Sequence, residues 1–104
     1  MSEEQFQKAL EVVEQMREKN AREGGERLSD DELLQFYGFY KQATVGNIDT
    51  QRPGFLSLNF KAKYKWDAWK AREGMSKEEA RKQYIALVKK SLTEHGYGDL
   101  IKGF

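Results

Sequence analysis

Two tyrosines and a lysine near the middle of the chain have the residue types and the spacing to bind a phosphorylated ligand. Tyr37, Tyr40 and Lys41 stand at positions i, i+3 and i+4, so they share one face if the segment is helical. Phenol hydroxyls and an ammonium can hold a phosphate, and an aromatic ring can stack on a flat base. The alternative is an amphipathic core helix whose tyrosines pack inward while the lysine reaches water. We expect Phe36 and Phe39, at other angles on the helix, to pack.

Further basic and aromatic residues of the same kind occur later in the chain. Lys61, Lys63 and Lys65 alternate with other residues before two tryptophans, and Tyr84 follows in the last predicted helix. A phosphate needs cations and hydroxyl donors, and a purine needs an aromatic face. By type alone, these residues fit either a ligand site or ordinary surface and core.

Motifs for catalysis and metal binding are missing from the sequence. There is no cysteine, which excludes disulfides, thiolate zinc sites and cysteine nucleophiles. The dinucleotide, P-loop, zinc-protease and nucleophile-elbow motifs do not occur either. The single histidine, His95, lies near the predicted end of the last helix, where it suits the helix dipole better than a role as a base. We therefore expect no enzyme, no metal site and no cofactor.

Charge is divided unevenly along the chain, although the formal net charge is only +1. Residues 1–35 contain ten Asp/Glu and five Lys/Arg, whereas residues 36–104 contain seven Asp/Glu and thirteen Lys/Arg. The basic surplus of the second part indicates an anionic partner. Lysines and aromatics would also suit a module for single-stranded nucleic acid. The near-neutral total charge argues against that, and we expect no nucleic-acid partner.

The elements that must position these residues are predicted to be amphipathic helices. The first helix follows a capping box at Ser2 and fades near Asn20, and the second follows a capping box at Ser29 and runs to Gly46. Gly38, within the second helix, would permit the close approach of another helix. The apolar face of the first helix is predicted to contain Phe6, Ala9, Leu10, Val13 and Met16.

Turn chemistry separates the second helix from the third. Residues 46–59 include a Gly-Asn and a Pro-Gly pair, so we predict an ordered loop that packs Ile48, Phe55 and Leu56 against the bundle. Asn59 should cap a third helix, which Gly74 terminates.

The fourth helix is predicted to begin with a capping box at Ser76 and to end near Gly96. Four such helices predict an all-α bundle in a single domain, residues 1–104, with a core of about 3–92 and a loosely held tail at 96–104. No apolar run approaches the roughly 20 residues of a membrane span, and no signal peptide follows Met1. We expect a cytoplasmic protein without a transmembrane segment.

Three separated motifs carry a resemblance to a known family. They are Tyr40-Lys41-Gln42-Ala43-Thr44-Val45-Gly46, Arg52-Pro53-Gly54 and Lys65-Trp66-Asp67-Ala68-Trp69, and Ser76-Lys77-Glu78-Glu79-Ala80 with Tyr84-Ile85 continues the pattern in register. In these motifs the chain resembles the acyl-CoA-binding protein family, over nearly all of residues 3–92. The resemblance implies a four-helix bundle of up-down-down-up topology that carries long-chain fatty acyl-CoA.

The resemblance also implies roles for five residues. By position within the motifs, Tyr40 matches the aromatic that stacks on adenine, and Tyr37 and Lys41 match residues that contact the 3′-phosphate. Lys65 matches a second phosphate-binding lysine, and Tyr84 matches a tyrosine that closes the ligand site. The residues that could line an acyl groove are Leu10, Leu33 and Leu34.

The chain departs from the family pattern in three places. The first loop, residues 21–27, is longer than in compact members, and Glu14 stands where many members have a lysine. The stretch from Ser57 to Tyr64 is also longer, which leaves the matching of Lys61 and Lys63 to family lysines open.

Two functions remain from the sequence. The first is a non-covalent carrier that buffers and transports long-chain acyl-CoA as a monomer and serves enzymes that use acyl-CoA. The second is a protein-interaction module that keeps the fold with weak or no ligand binding, which the tail at 96–104 favours.

Overall fold

The computed structural model describes residues 3–23, 28–54 and 56–101. The elements among these residues are α1 Glu3–Glu23, α2 Asp30–Thr44, α3 Phe60–Lys70, α4 Lys77–Glu94 and a short 3-10 helix at Gly98–Ile101. The described residues contain no strand, so the predicted all-α class is confirmed. The chain forms two compact units: one spans Ser29–Ala80, and the other contains α1, the rest of α4 and the 3-10 helix.

Polar caps begin α2 and α3 at the predicted residues. Ser29 Oγ accepts a hydrogen bond from the backbone N–H of Glu32 at 3.1 Å, and the Glu32 carboxylate accepts one from the Ser29 N–H at 3.4 Å. At the start of α3, Asn59 Oδ1 accepts from the backbone N–H of Ala62 at 3.0 Å. Each cap satisfies an N–H group that a helix leaves without an internal partner.

The predicted capping box at the start of α4 and the predicted glycine helix ends are confirmed in part. The backbone N–H of Glu79 donates to Ser76 Oγ at 3.0 Å, which is one half of the predicted capping box. Gly74 and Gly96 have φ angles of 93° and 82°, the left-handed conformation expected at helix ends. The box predicted at Ser2 lies outside the described residues.

Helices α2 and α3 run in the same direction. Tyr37 of α2 lies beside Lys65 of α3, and one turn further along both helices Lys41 lies beside Trp69. Residue numbers therefore rise in the same direction along the two helices. A helix of 15 residues is about 22 Å long. The chain must therefore return that distance before α3 can begin, and residues 45–59, the returning loop, make this connection.

Gly38 is the point of closest approach between the two helices. An ideal Cβ built there would lie 2.5 Å from the carbonyl oxygen of Ala68, which is backbone and cannot rotate away. The prediction that Gly38 permits a close helix approach is confirmed. Side chains on either side of this contact can therefore reach across from one helix to the other.

Two indoles of α3 hold the returning loop in place. Trp69 Nε1 donates to the carbonyl of Gly46 at 2.8 Å, and Trp66 Nε1 donates to the carbonyl of Thr50 at 3.0 Å. The loop thus runs back along α3, opposite to the direction of the helix.

Asn47 ties the end of α2 to the turn after α3. Its Oδ1 accepts from Gln42 Nε2 at 3.0 Å and from the backbone N–H of Gly74 at 2.8 Å. Gln42 Nε2 also donates to the carbonyl of Met75 at 2.7 Å. Because Gln42 is buried, these bonds compensate its amide nitrogen for the loss of contact with water, whereas its Oε1 is buried without a hydrogen-bond partner among the described residues.

The last part of the returning loop differs from the prediction. Ile48 is half-buried, but Leu56 is 81% exposed and the neighbouring Leu58 is 85% exposed. The prediction that Leu56 packs against the bundle is wrong, and Phe55 lies outside the described residues.

Local hydrogen bonds explain why these leucines face water. The backbone N–H of Ser57 donates to the carbonyl of Gly54 at 2.9 Å, and Ser57 Oγ accepts from the Asn59 N–H at 3.1 Å. Ser57 is half-buried, and in this alternating stretch the residues before and after it project outward. Because the Ser57 side chain is turned inward in this alternating stretch, the side chains of Leu56 and Leu58 face solvent.

In the other unit, an aromatic pair joins α1 to α4. The rings of Phe6 and Tyr84 meet edge to face, with centroids 5.3 Å apart. The predicted face of α1 is shifted slightly, because Val12 is buried whereas Leu10 and Val13 are half-buried. With 3.6 residues per turn, either side of that stripe can face the core. The buried apolar residues of α1 are Phe6, Ala9, Val12 and Met16.

The segment after α4 packs against α1 instead of hanging loosely. Tyr97 is buried, and Lys19 Nζ lies 5.6 Å from the centroid of its ring. Lys19 Nζ also lies 3.8 Å from a carboxylate oxygen of Asp99. The prediction of a loosely held tail is therefore wrong for residues 97–101, since an aromatic and an acid both reach back to one lysine.

Within the described ranges, none of the helices has the length and apolar character needed to cross a membrane.

Gly38→Ala should lower the free energy of unfolding by about 1–3 kcal/mol, because the new methyl overlaps the Ala68 carbonyl and forces α2 and α3 apart. This cost outweighs the helix-propensity gain of at most about 1 kcal/mol. Urea denaturation measures it. Gly54→Ala is the control, since no atom lies within 4 Å of its ideal Cβ, and it should be neutral or slightly stabilising. Equal stability of Gly38→Ala and the wild type would contradict the close approach.

Candidate functional site

The face of α2 divides its residues as the sequence predicted. Phe36 and Phe39 are buried, whereas Tyr37 and Lys41 are half-buried and Tyr40 is 39% exposed. The interpretation in which the tyrosines are core residues fails most clearly for Tyr40. The polar face is thus accessible to a ligand.

Two lysines cross between α2 and α3 to lie over aromatic rings. Lys41 of α2 has its Nζ 4.8 Å from the centroid of Trp69 on α3, and Lys65 of α3 has its Nζ 5.2 Å from the centroid of Tyr37 on α2. Each helix supplies one lysine and one ring at i, i+4 spacing, so the pairs are reciprocal. We call Lys41 and Lys65 the crossed lysines.

The crossed lysines keep their charge available. In the part of the chain that the structure describes, neither ammonium has a carboxylate within salt-bridge distance, whereas Lys70 of the same unit lies 2.7 Å from Glu73. A cation–π contact at a partly exposed site contributes about 0.5–1 kcal/mol. A charge-assisted hydrogen bond contributes about 1.5–3 kcal/mol. The rings can therefore orient the ammonium groups without preventing them from binding an anion.

Trp69 supports this site in a way that the sequence did not reveal. Its ring lies under the Lys41 ammonium, and its indole N–H is fixed by the carbonyl of Gly46. The residue appeared in the sequence only as part of a motif. Its position beneath a lysine of α2 depends on the helix approach at Gly38, which no local spacing encodes.

Tyr84 belongs to the other compact unit, on α4. It is buried, with its ring packed edge-on against Phe6. Its role in closing the ligand site stays a prediction.

The three groove leucines are partly accessible. Leu33 is exposed and Leu34 half-buried on α2, and Leu10 is half-buried on α1 in the other unit. Partial exposure is compatible with contact to an apolar ligand, and their role also stays a prediction.

The other two lysines of α3 differ from each other. Lys61 is exposed, whereas Lys63 is buried with its Nζ 5.2 Å from the centroid of Phe60. The Phe60 ring beside Lys63 belongs to α3 itself, whereas the Tyr37 ring beside Lys65 belongs to α2.

A bidentate ion pair fixes the returning loop to the middle of α3. The Arg52 guanidinium donates hydrogen bonds of 2.8 Å and 3.0 Å to the two carboxylate oxygens of Asp67. These bonds lower the pKa of Asp67 below its ordinary value of 3.8 and raise the pKa of Arg52. Both residues are exposed, so we expect a small effect on stability.

The Asp67 carboxyl should titrate below pH 3.8 in the wild type and nearer that value in Arg52→Gln, as followed by NMR. Because the folded pKa is the lower one, the pair stabilises the fold above pH 3.8 and loses that effect as the pH falls through the folded value. Lys70→Gln, which breaks a different ion pair, should leave the titration unchanged. The same midpoint in Arg52→Gln and the wild type would contradict the pairing.

Among the described residues, no group of three or more His, Asp or Glu side chains is placed to hold a metal ion.

Comparison with known families identifies a match over most of the chain. A family model described as "Acyl CoA binding protein" matches residues 3–88. The acyl-CoA-binding protein of Saccharomyces cerevisiae is 44% identical over 87 residues, which cover 81% of this chain and 98% of that protein.

Solved structures give the same result. A crystal structure of ACBP from Moniliophthora perniciosa has a TM-score of 0.81 at 38% identity, covering 98% of this chain and 91% of that one. The structure of Oryza sativa Acyl-CoA-Binding Protein 2 has a TM-score of 0.69 at 44% identity, covering 88% and 94%. The predicted acyl-CoA-binding-protein-like fold class is confirmed.

Proposed function

This chain belongs to the acyl-CoA-binding protein family, and on that basis we propose that it binds long-chain fatty acyl-CoA esters non-covalently, buffers them and transports them. The observation that carries the proposal is the reciprocal placement of the crossed lysines, Lys41 over Trp69 and Lys65 over Tyr37. It presents two cations and a phenol on one α2–α3 surface.

In this proposal the crossed lysines bind the phosphates of the nucleotide. Each charge-assisted contact would contribute about 1.5–3 kcal/mol. The Tyr37 hydroxyl donates a further hydrogen bond to the 3′-phosphate. The contact between Lys65 and Tyr37 supports this role, since it holds both groups at one place.

The adenine stacks on Tyr40. The exposure of this side chain supports the role, because a ring must present a face to the ligand before it can stack. Stacking of a base on an aromatic side chain contributes about 1–3 kcal/mol in nucleic-acid complexes, and we expect the same scale here.

The acyl chain occupies an apolar groove, for which Leu33 and Leu34 are the predicted residues of α2, while the roles of Leu10 and Tyr84 stay predictions from the sequence. Each CH₂ removed from water contributes about 0.8 kcal/mol. A long acyl chain therefore has enough apolar surface to match or exceed the contribution of the phosphates, which favours long-chain esters over free coenzyme A.

The resulting protein is a carrier and not an enzyme. It sequesters the ester from water and delivers it to enzymes that use acyl-CoA, without a metal or cofactor of its own. A single domain, a monomeric state and a cytoplasmic location stay predictions that accompany this proposal.

The interaction-module alternative receives less support. It depended on a tail beyond the core, but residues 97–101 are occupied in packing against α1. The relatives' names also describe acyl-CoA binding.

Lys65→Ala and Lys41→Ala should each weaken palmitoyl-CoA binding by about ten- to hundredfold, which corresponds to one charge-assisted contact. Isothermal titration calorimetry measures the effect. Lys70→Ala is the matched control, because this lysine lies on the same helix but is already paired with Glu73, and its affinity should stay within about twofold.

Two results would overturn the proposal. The wild type could bind palmitoyl-CoA no better than at about millimolar concentration, the range of weak non-specific association. Alternatively, Lys65→Ala and Lys41→Ala could bind as tightly as Lys70→Ala, which would separate binding from the crossed lysines.

A further inference from the structure

A third cation joins α2 to the end of α3, in addition to the crossed lysines. Arg72 follows α3 directly after its C-cap, and the central carbon of its guanidinium lies 4.1 Å from the centroid of the Phe39 ring on α2. This distance is shorter than the 4.8 Å and 5.2 Å of the crossed lysines. A planar guanidinium at this distance from a buried ring forms a close cation–π contact.

The ring that Arg72 contacts faces away from the proposed nucleotide site. At about 100° per residue, Phe39 is roughly 200° from both Tyr37 and Lys41 around the axis of α2. Phe39 is buried, whereas Tyr37 and Lys41 are half-buried. A phosphate held by the crossed lysines is therefore bound on the other side of the helix from this contact.

The backbone of Arg72 is tied to the turn of α3 that contains Trp69. The Arg72 N–H donates a hydrogen bond of 2.9 Å to the carbonyl of Trp69, whose ring lies beside the Lys41 ammonium. The Arg72 side chain then passes the closest approach of the helices, because its Cγ lies 3.6 Å from the ideal Cβ position at Gly38. Movement of α3 away from α2 would thus break the Arg72 and Lys41 contacts together.

The charge of Arg72 has an energetic penalty in this place. Its Nε is buried without a hydrogen-bond partner, and within the described ranges no carboxylate lies within salt-bridge distance of the guanidinium. A buried donor without a partner is destabilising, and an apolar side chain of similar length would avoid it. The contact with the Phe39 ring is the favourable interaction that the charge provides in exchange.

We infer that Arg72 is a positioning residue for the nucleotide site, an inference that rests on the proposed function. A bound phosphate competes with the rings of Trp69 and Tyr37 for the two ammonium groups, but it leaves the contact between Arg72 and Phe39 intact. That contact holds α2 close to α3 both before and after the ligand binds. The crossed lysines are therefore in place when the nucleotide arrives, and less affinity is lost in ordering them.

Calorimetry with palmitoyl-CoA tests the inference on three variants. Arg72→Met keeps a long apolar stem without the charge and should bind about fivefold more weakly than the wild type, the scale of one partly buried cation–π contact. Arg72→Lys keeps a cation that can lie over the ring and should stay within about twofold of the wild type. Lys70→Met is the matched control for the lost charge, since Lys70 pairs with Glu73, and should also stay within about twofold.

Three further measurements distinguish positioning from a structural role and from direct ligand contact. In ligand-free Arg72→Met, the ε-methylene proton signals of Lys41 and Lys65, which nearby rings shift, should move toward those of the exposed Lys61. The midpoint of urea unfolding should stay near that of the wild type, because the lost ring contact and the removed unpartnered donor have opposite effects. The salt dependence of palmitoyl-CoA binding should equal that of Lys70→Met, because Arg72 contacts no phosphate.

Three results would overturn the inference. The first is that the signals of the crossed lysines are the same in ligand-free Arg72→Met as in the wild type. The second is that Arg72→Lys loses as much affinity as Arg72→Met, which would show that a cation over the ring is not what matters. The third is that Arg72→Met weakens the salt dependence as far as Lys65→Ala does, which would make Arg72 a phosphate contact.

The ligand-free NMR signals also separate this inference from the proposed function. A wild type that does not bind palmitoyl-CoA would reject the carrier role, while signals that still move in Arg72→Met would uphold Arg72 as the residue that positions the crossed lysines. Tight palmitoyl-CoA binding by the wild type, with lysine signals that do not move in Arg72→Met, would uphold the carrier role and reject only the inference.

Discussion

The contact between Gly38 and the Ala68 backbone sets the geometry on which the candidate site depends. A lysine must lie within about 6 Å of a ring centroid to gain from it, and the crossed lysines stand at 4.8 Å and 5.2 Å. A side chain at position 38 would separate the two helices and lengthen both distances toward this limit. The same approach also lets the Arg72 guanidinium lie 4.1 Å from the centroid of the Phe39 ring. A single missing Cβ thus permits three contacts between the helices.

The shared direction of α2 and α3 imposes a second constraint, which is the length of the returning loop. The tryptophans of α3 hold this long loop by donating hydrogen bonds to its backbone carbonyls, and the ring of Trp69 also contacts the Lys41 ammonium. One residue therefore couples loop anchoring to the orientation of a proposed ligand-binding cation. Where the loop turns into α3 its hydrogen bonds become local, and its leucines are left at the surface. The anchored part of the loop and its exposed leucines are consecutive parts of one connection.

The features that were predicted correctly from the sequence are those that depend on residues close together in the chain. The caps at Ser29 and Asn59 and the division of the α2 face follow from spacing within one or two helical turns, and each is present in the structure. The features that were missed depend on residues far apart in the chain. Trp69 acts through a partner on α2, and the exposure of Leu56 results from how the loop satisfies its own hydrogen bonds. Tyr97 is buried beside Lys19 of α1, a residue that local patterns do not connect to it.

A crystal structure of the protein with palmitoyl-CoA would test the central claim most directly, namely that the α2–α3 approach arranges the crossed lysines to hold the nucleotide. The predicted result has phosphate oxygens about 2.7–2.9 Å from the Nζ atoms of both Lys41 and Lys65, the spacing of charge-assisted hydrogen bonds. Gly38 should remain in contact with Ala68. Palmitoyl-CoA bound with its phosphates away from both lysines, or bound only after α2 and α3 have separated, would contradict the account.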